Sequence, residues 1–250
     1  GGANAETIFE VRQNALAHFQ AQSRAVTKQD YITRIYALPA RYGNVAKCNI
    51  VQDTQLDNSN IEGTGRIMNP LALNLYVLGF NANKKLVNLN EAVKQNIQTY
   101  LTQFRMVTDA INIKNAFVIN IGVKFNLLTK VGYNKQEVIL RAIQKVKSFF
   151  DIDKWQIGQP IVIADLAYQL SLTEGVSAIV PPEEDNPNGL PIIITNKYQT
   201  DKGYSGNLFN IGSATRNGVV YPSMDPSCFE LKFPNTDVEG RVIGDSAGGN

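Results

Sequence analysis

Apolar residues recur at helical spacing near the start of the chain. Ile8, Val11, Ala15, Leu16 and Phe19 form one stripe between Ala5 and Gln22, set among Glu10, Arg12, Gln13 and Asn14. The pattern predicts a surface helix with one adhesive face. Thr27-Lys28-Gln29-Asp30 reads as a capping box with Asp in place of Glu or Gln, and Tyr31, Ile35 and Leu38 give a short second helix ending near Pro39. Residues 44–51 read as a brief strand. Gln52 to Pro70, rich in Asp, Asn, Ser and Gly, reads as a loop and a boundary.

The middle of the chain has the clearest periodicity. Leu71, Leu73, Leu75 and Val77 alternate along a strand from Leu71 to Phe80, and a turn over 81–85 leads to Leu86 and Val87. Asn90 caps a helix in which Val93, Ile97, Tyr100, Leu101 and Phe104 share a face. From Ala116 to Leu128, Phe117, Ile119, Ile121, Val123, Phe125 and Leu127 keep a strict period of two, which predicts a long or central strand. Asn134 and Glu137 cap a helix with Val138, Ile139, Ala142, Ile143, Val146 and Phe149 inside, and Arg141, Gln144 and Lys147 opposite. Pro160 opens a further helix with Val162, Ile163, Leu166 and Leu170, ended by Gly175, and residues 176–180 read as a strand.

The order from Leu71 is β-α-β-α-α-β, for which a ferredoxin-like open α/β sandwich is the nearest common pattern. After Pro181 periodicity fades. Short strands are expected over 218–221, 229–233 and 242–243, in an irregular or extended arm ordered by its contacts. The expected class is α+β. The expected divisions are an N-terminal helical segment with a short strand (1–52), a linker (53–70), an α/β domain (71–181) and an irregular β-rich C-terminal arm (182–250).

Composition narrows the chemistry. The 250 residues carry 24 Lys and Arg against 22 Asp and Glu, a net charge of +2, so no overall field draws nucleic acid or an anionic membrane. The 44% hydrophobic content is that of a globular chain, and no apolar run nears the ~20 residues of a spanning helix, which predicts a soluble protein. Cys48 and Cys228 are read as free thiols and no Asn-x-Ser/Thr acceptor occurs, which suits a reducing compartment. A single histidine excludes an HExxH zinc site and every multi-histidine metal centre. The 26 asparagines supply caps and turns and no acid or base. Gly1-Gly2 at the start, without Met, reads as a fragment or a cloning scar.

Each candidate for chemistry has a plainer reading. His18 has no nucleophile motif beside it and reads as a helix-edge residue. Glu183, Glu184 and Asp185 read as a solvated acidic turn before they read as a cation site or an acid/base pair. Gly63-Thr64-Gly65 lacks the third glycine and the Lys-Ser/Thr ending of phosphate loops. Lys135, Arg141, Lys145 and Lys147 read as the wet face of a helix with no aromatic interleaving for base stacking. Trp155, before Ile157, Gly158 and Pro160, either anchors a partner or plugs the core. No catalytic, cofactor-binding or metal-binding residue is assigned. The candidate interface residues are Ile8, Val11, Phe19 and Trp155.

The segment Ser23-Arg24-Ala25-Val26-Thr27-Lys28-Gln29-Asp30-Tyr31 resembles the R-x-V-T-x-x-D-Y entry of baseplate J-like proteins from contractile phage tails and related injection machines. In that family's order follow Asn90 to Leu101, Arg105-Met106-Val107-Thr108, the long strand through Phe125 and Gly132-Tyr133. The helix to Phe150, Gly158-Gln159-Pro160-Ile161, Asp165-Leu166 and Glu174-Gly175-Val176 complete the series. The resemblance covers roughly residues 5–181. It implies a non-enzymatic structural protein of a virion tail baseplate, assembled in the host cytoplasm, which dimerises and links neighbouring wedges into a ring that rearranges on sheath contraction. The implied partners are a second copy and other baseplate wedge proteins, with no nucleic acid, membrane, small-molecule substrate or cofactor. Two rival readings are a tail-associated cell-wall glycosidase with paired carboxylates and a host-glycan recognition module presenting Tyr198, Tyr204, Phe209 and Tyr221.

Overall fold

The computed structural model describes residues 24–52, 72–106, 109–183, 186 and 189–243. The protein is α+β and divides into two compact units, Gly1–Ala116 and Phe117–Asn250.

In the first unit, α1 (Lys28–Tyr36) starts with the expected box: Asp30 N–H donates to Thr27 Oγ1, and the Asp30 carboxylate accepts from Thr27 N–H. β1 (Lys47–Gln52) runs antiparallel to β2 (Ala72–Phe80), and β3 (Leu86–Val87) pairs antiparallel with the end of β2. α2 (Glu91–Thr102), capped by Asn90, leads into β4 (Ala110–Asn115), which lies parallel to β2. A parallel pair needs a crossover connection, and α2 supplies it. Ile50, Leu75, Val77 and Ile111 from the sheet meet Tyr31, Ile35, Ile97 and Leu101 from the helices in one core. The period-two pattern of Ile111 and Ile113 is too short to stand out in the sequence, and β4 is an element that the sequence reading lacks.

The second unit is built on β5 (Phe117–Thr129), 13 residues long, with strands along both edges. β7 (Val176–Val180) and β8 (Ile192–Asn196) lie end to end along one edge, antiparallel, against 126–129 and 121–125. β11 (Ser227–Glu230) and β12 (Val238–Val242) lie along the other, parallel, against 117–120 and 123–127. Each edge is thus one strand interrupted by an excursion. The first excursion is pinned by Asn186, which donates to Pro182 O and Leu190 O and accepts from Leu190 N–H. The second contains the short helix α6 (Pro234–Asp237).

Two helices cover the sheet, α3 (Lys135–Phe149) against β12 and β5 and α4 (Ile163–Ser171) against β7. Val138, Ala142 and Val146 of α3 and Ile163, Leu166 and Leu170 of α4 are buried. α4 starts at Ile163 and not at Pro160, because β6 (Ile161–Val162) pairs with β10 (Val219–Val220). β10 also forms a hairpin with β9 (Thr215–Arg216), which follows the short helix α5 (Ile211–Ala214). Its turn residues Asn217 and Gly218 both have positive φ, 53° and 74°, the conformation that Asn-Gly hairpin turns demand.

Residues 71–181 therefore do not share one sheet, and the segment after 182 is no separate arm. β2 and β4 belong to the first unit, whereas β5 takes β8, β11 and β12 as partners from the C-terminal segment. A strand as long as β5 must pair along both edges, and the short strands that do so lack periodicity of their own.

Candidate interaction surface

The segment resembling the family's entry motif has a structural task in the first unit. Ala25 N–H donates to Phe104 O (2.8 Å), Thr27 and Asp30 cap α1, and the Tyr31 hydroxyl donates to Asp109 Oδ2 (2.6 Å). The Arg34 guanidinium lies 4.4 Å above the Phe104 ring. Together these tie α1 to the end of α2 and the start of β4. Tyr31 is buried, and burial followed by the Asp109 carboxylate pushes its hydroxyl pKa up to about 12.

In the second unit, Trp155 is only 4% exposed and its ring packs on Phe149 (5.9 Å between centroids) and Phe150 (5.3 Å). Its indole N–H is buried without a hydrogen-bond acceptor among the described residues. Trp155 also lines a recess of about 240 Å³ with Lys154, Gln159, Pro160, Val162 and Asp165. Ile8, Val11 and Phe19, the other candidate interface residues, lie outside the described residues, as do His18, Gly63 to Gly65, Glu184 and Asp185.

The outer side of the helical layer is more apolar than its charge pattern suggests. Leu140 on α3 is 66% exposed, and Tyr168 and Leu172 on and just after α4 are 62% and 60% exposed. These residues lie away from the buried stripes of their helices, so each helix is apolar on its inner face and partly so on its outer one. The sequence reading missed them because Arg141, Gln144 and Lys147 dominate that face by number. The signal was present in the spacing, since Leu140 falls opposite the row Val138, Ala142 and Val146.

Two of the basic candidates have partners within the second unit. Arg141 pairs with Glu137 (2.6 Å) and Glu174 (3.2 Å), and Lys147 donates to Asn235 Oδ1 (2.7 Å). Glu183 and Glu239 line one recess of about 320 Å³, but Glu183 is exposed on the first excursion and Glu239 is paired with Lys124 at 3.4 Å. Tyr204 donates to Asp237 Oδ1 (2.5 Å), and Phe209 packs edge-on against Phe229, which leaves Tyr198 and Tyr221 as the exposed aromatics of that group. Among the described residues there is no cluster of His, Cys, Asp and Glu able to hold a metal ion, and no helix long and apolar enough to cross a membrane. Cys48 and Cys228 are both buried, and neither takes part in a disulfide.

The arrangement has apolar helix faces and shallow recesses. The fold resembles that of a baseplate chain. A chain in the cryo-EM structure of the anti-feeding prophage baseplate, 6-fold symmetrised, matches with a TM-score of 0.54 over 92% of this chain at 12% identity. This chain spans 43% of that chain's length, and at such identity the likeness is one of fold. No family model matches the chain, and no curated protein matches it.

Proposed function

We propose that this chain is a structural, non-enzymatic component of a contractile-tail baseplate, located in the tail of a virion or virion-like particle and bound to other baseplate proteins. The observation that carries the reading is the fold likeness to a chain of the anti-feeding prophage baseplate over 92% of the residues. The order of the J-like motifs from Arg24 to Val176 supports it independently. The apolar outer residues Leu140, Tyr168 and Leu172 fit an assembly role.

The finer reading is a baseplate J-like protein, corresponding to the C-terminal portion of the wedge ring protein of T-even-type phages. It dimerises and links neighbouring wedges into a ring that rearranges on contraction. Assembly takes place in the host cytoplasm. Ile8, Val11 and Phe19 form the first contact in this reading, with the outer helix residues Leu140, Tyr168 and Leu172 supporting a second.

Sedimentation equilibrium across a concentration series tests it. A dimer that becomes a monomer on replacing Ile8 and Phe19 with Asp is the expected result. An unchanged dimer would move the contact elsewhere, and a strict monomer of the unaltered chain would remove self-association from the proposal.

A further inference from the structure

The two edges of β5 are bonded by different means. Along the edge facing β11 and β12 the partners are backbone groups in regular register. Along the other edge β8 ends opposite Ile121, and the next carbonyls of β5 are met mostly by side chains. Asn120 O accepts from Lys197 N–H (2.8 Å) and from Asn196 Nδ2 (3.1 Å). Val118 O accepts from Ser205 Oγ (2.7 Å) and Asn207 Nδ2 (2.8 Å). Residues 204–209 are therefore a strap that stands in for a strand, with amide and hydroxyl groups replacing ladder bonds.

The Asn120 side chain joins this strap to the opposite edge. Its Oδ1 accepts from Ser205 N–H (2.7 Å), and its Nδ2 donates to Glu230 Oε2 (2.9 Å) in β11. Asn120 and Glu230 are 0% and 1% exposed. The amide has one workable orientation, because a flip would set its oxygen against the carboxylate and its NH2 against an N–H. Opening either edge leaves a buried polar group of Asn120 without its partner, which is unfavourable in a dry interior.

We infer that Asn120 is a latch between the two edges of the β5 sheet, so that the strap at 204–209 and the strand β11 open and close as one unit. A contact or pull on the strap is transmitted to the C-terminal edge strand, and the reverse holds by thermodynamic reciprocity. The inference does not depend on the baseplate reading.

Amide hydrogen exchange of the whole chain, read by mass spectrometry, tests it with a variant on each side of the latch. Glu230→Gln keeps the shape but replaces the carboxyl acceptor of the Asn120 amide, and is expected to speed exchange at 204–209 about threefold to tenfold, although it lies on the other edge. Asn207→Ala removes the amide held by Val118 O and is expected to speed exchange at 227–230 by about the same factor. Asn120→Ala should loosen both segments, and in its background Glu230→Gln should no longer affect 204–209. Residues 176–180 of β7 serve as the control and should stay unchanged. Loosening confined to the edge that carries the substitution would overturn the inference, and so would an equal rise at 176–180. Should Asn120→Ala fail to fold, the two outer variants decide the matter alone.

Discussion

The Tyr31 hydroxyl donates a 2.6 Å hydrogen bond to the Asp109 carboxylate, and so fixes the first described helix to the residue that precedes β4. The neighbouring Arg105 Nη1 donates to Asp109 O at 2.6 Å, so one aspartate gathers both ends of the junction. Tyr31→Phe keeps the ring in the core and removes the donor. The expected cost is about 1–2 kcal/mol, seen as a lower urea midpoint for the first unit, and an unchanged midpoint would make the bond energetically idle.

Alkaline pH should weaken the fold through two buried groups and one half-buried one. Tyr31 and Tyr204 are each pushed up to about 12 from 10.0, by burial first and then by Asp109 and Asp237, and burial raises Cys48 from 9.0 to about 11. A folded-state value above the unfolded one gives stability that is whole below the unfolded value and is lost as pH rises through the folded value. The thermal midpoint should therefore fall from about pH 9 to pH 12. Tyr31→Phe should make that decline shallower above pH 10, and an identical slope would show that Tyr31 does not contribute to it.

The capping box is testable at both of its residues. Thr27→Ala should cost about 1 kcal/mol, measured by chemical denaturation. The Asp30 carboxylate is held below its ordinary 3.8 by the backbone bonds of Thr27 first and Val26 second. Its contribution is present above the unfolded value and is lost as pH falls through the lowered folded value. Asp30→Asn should flatten the acid limb of the stability profile, and a profile unchanged in shape would contradict this cause.

Trp155 is the chain's single tryptophan and is buried, so selective tryptophan fluorescence reports on the second unit alone. Native emission should be blue-shifted and should move to the red on unfolding. Trp155→Ala empties a site between Phe149 and Phe150 and should cost about 3–5 kcal/mol. A loss below about 1 kcal/mol would mean that the aromatic cluster collapses over the gap.

Gly240 lies where β12 crosses Phe125. A Cβ at that position would fall 2.7 Å from Phe125 Cζ, and the Phe125 ring is itself buried. Gly240→Ala should destabilise the second unit by about 1–3 kcal/mol, read as a drop in thermal midpoint, whereas a neutral result would show that the ring turns aside freely.

Much of the helical content was legible. The capping signals at Thr27, Asn90 and Asn134 are each used as caps, because an N-cap bond is made within three residues and needs no distant partner. The long alternation from Phe117 to Leu127 likewise appears as β5, central to its sheet and buried on both faces from Val118 to Val123. Asn217-Gly218 carried a hairpin signal that a reading for irregular structure passes over. The charged face of α3 hid Leu140, and nothing local marks Asn120, Glu230 or Asp237 as buried, since polar residues gain that status only when their partners arrive from elsewhere.

By itself the sequence determined the α+β class, the caps and the central strand, all of which follow from interactions within a few residues or from a period along one segment. It also determined that the composition offers no multi-histidine metal centre, because one histidine cannot form one. Only the tertiary structure decided that the division falls after Ala116, and that β8, β11 and β12 complete the sheet around β5. It also decided that asparagine amides fill the place of a missing strand. Strand partners and buried polar contacts join residues far apart in the chain, Asn120 and Glu230 by 110 positions, and a short strand takes its identity from the edge it covers.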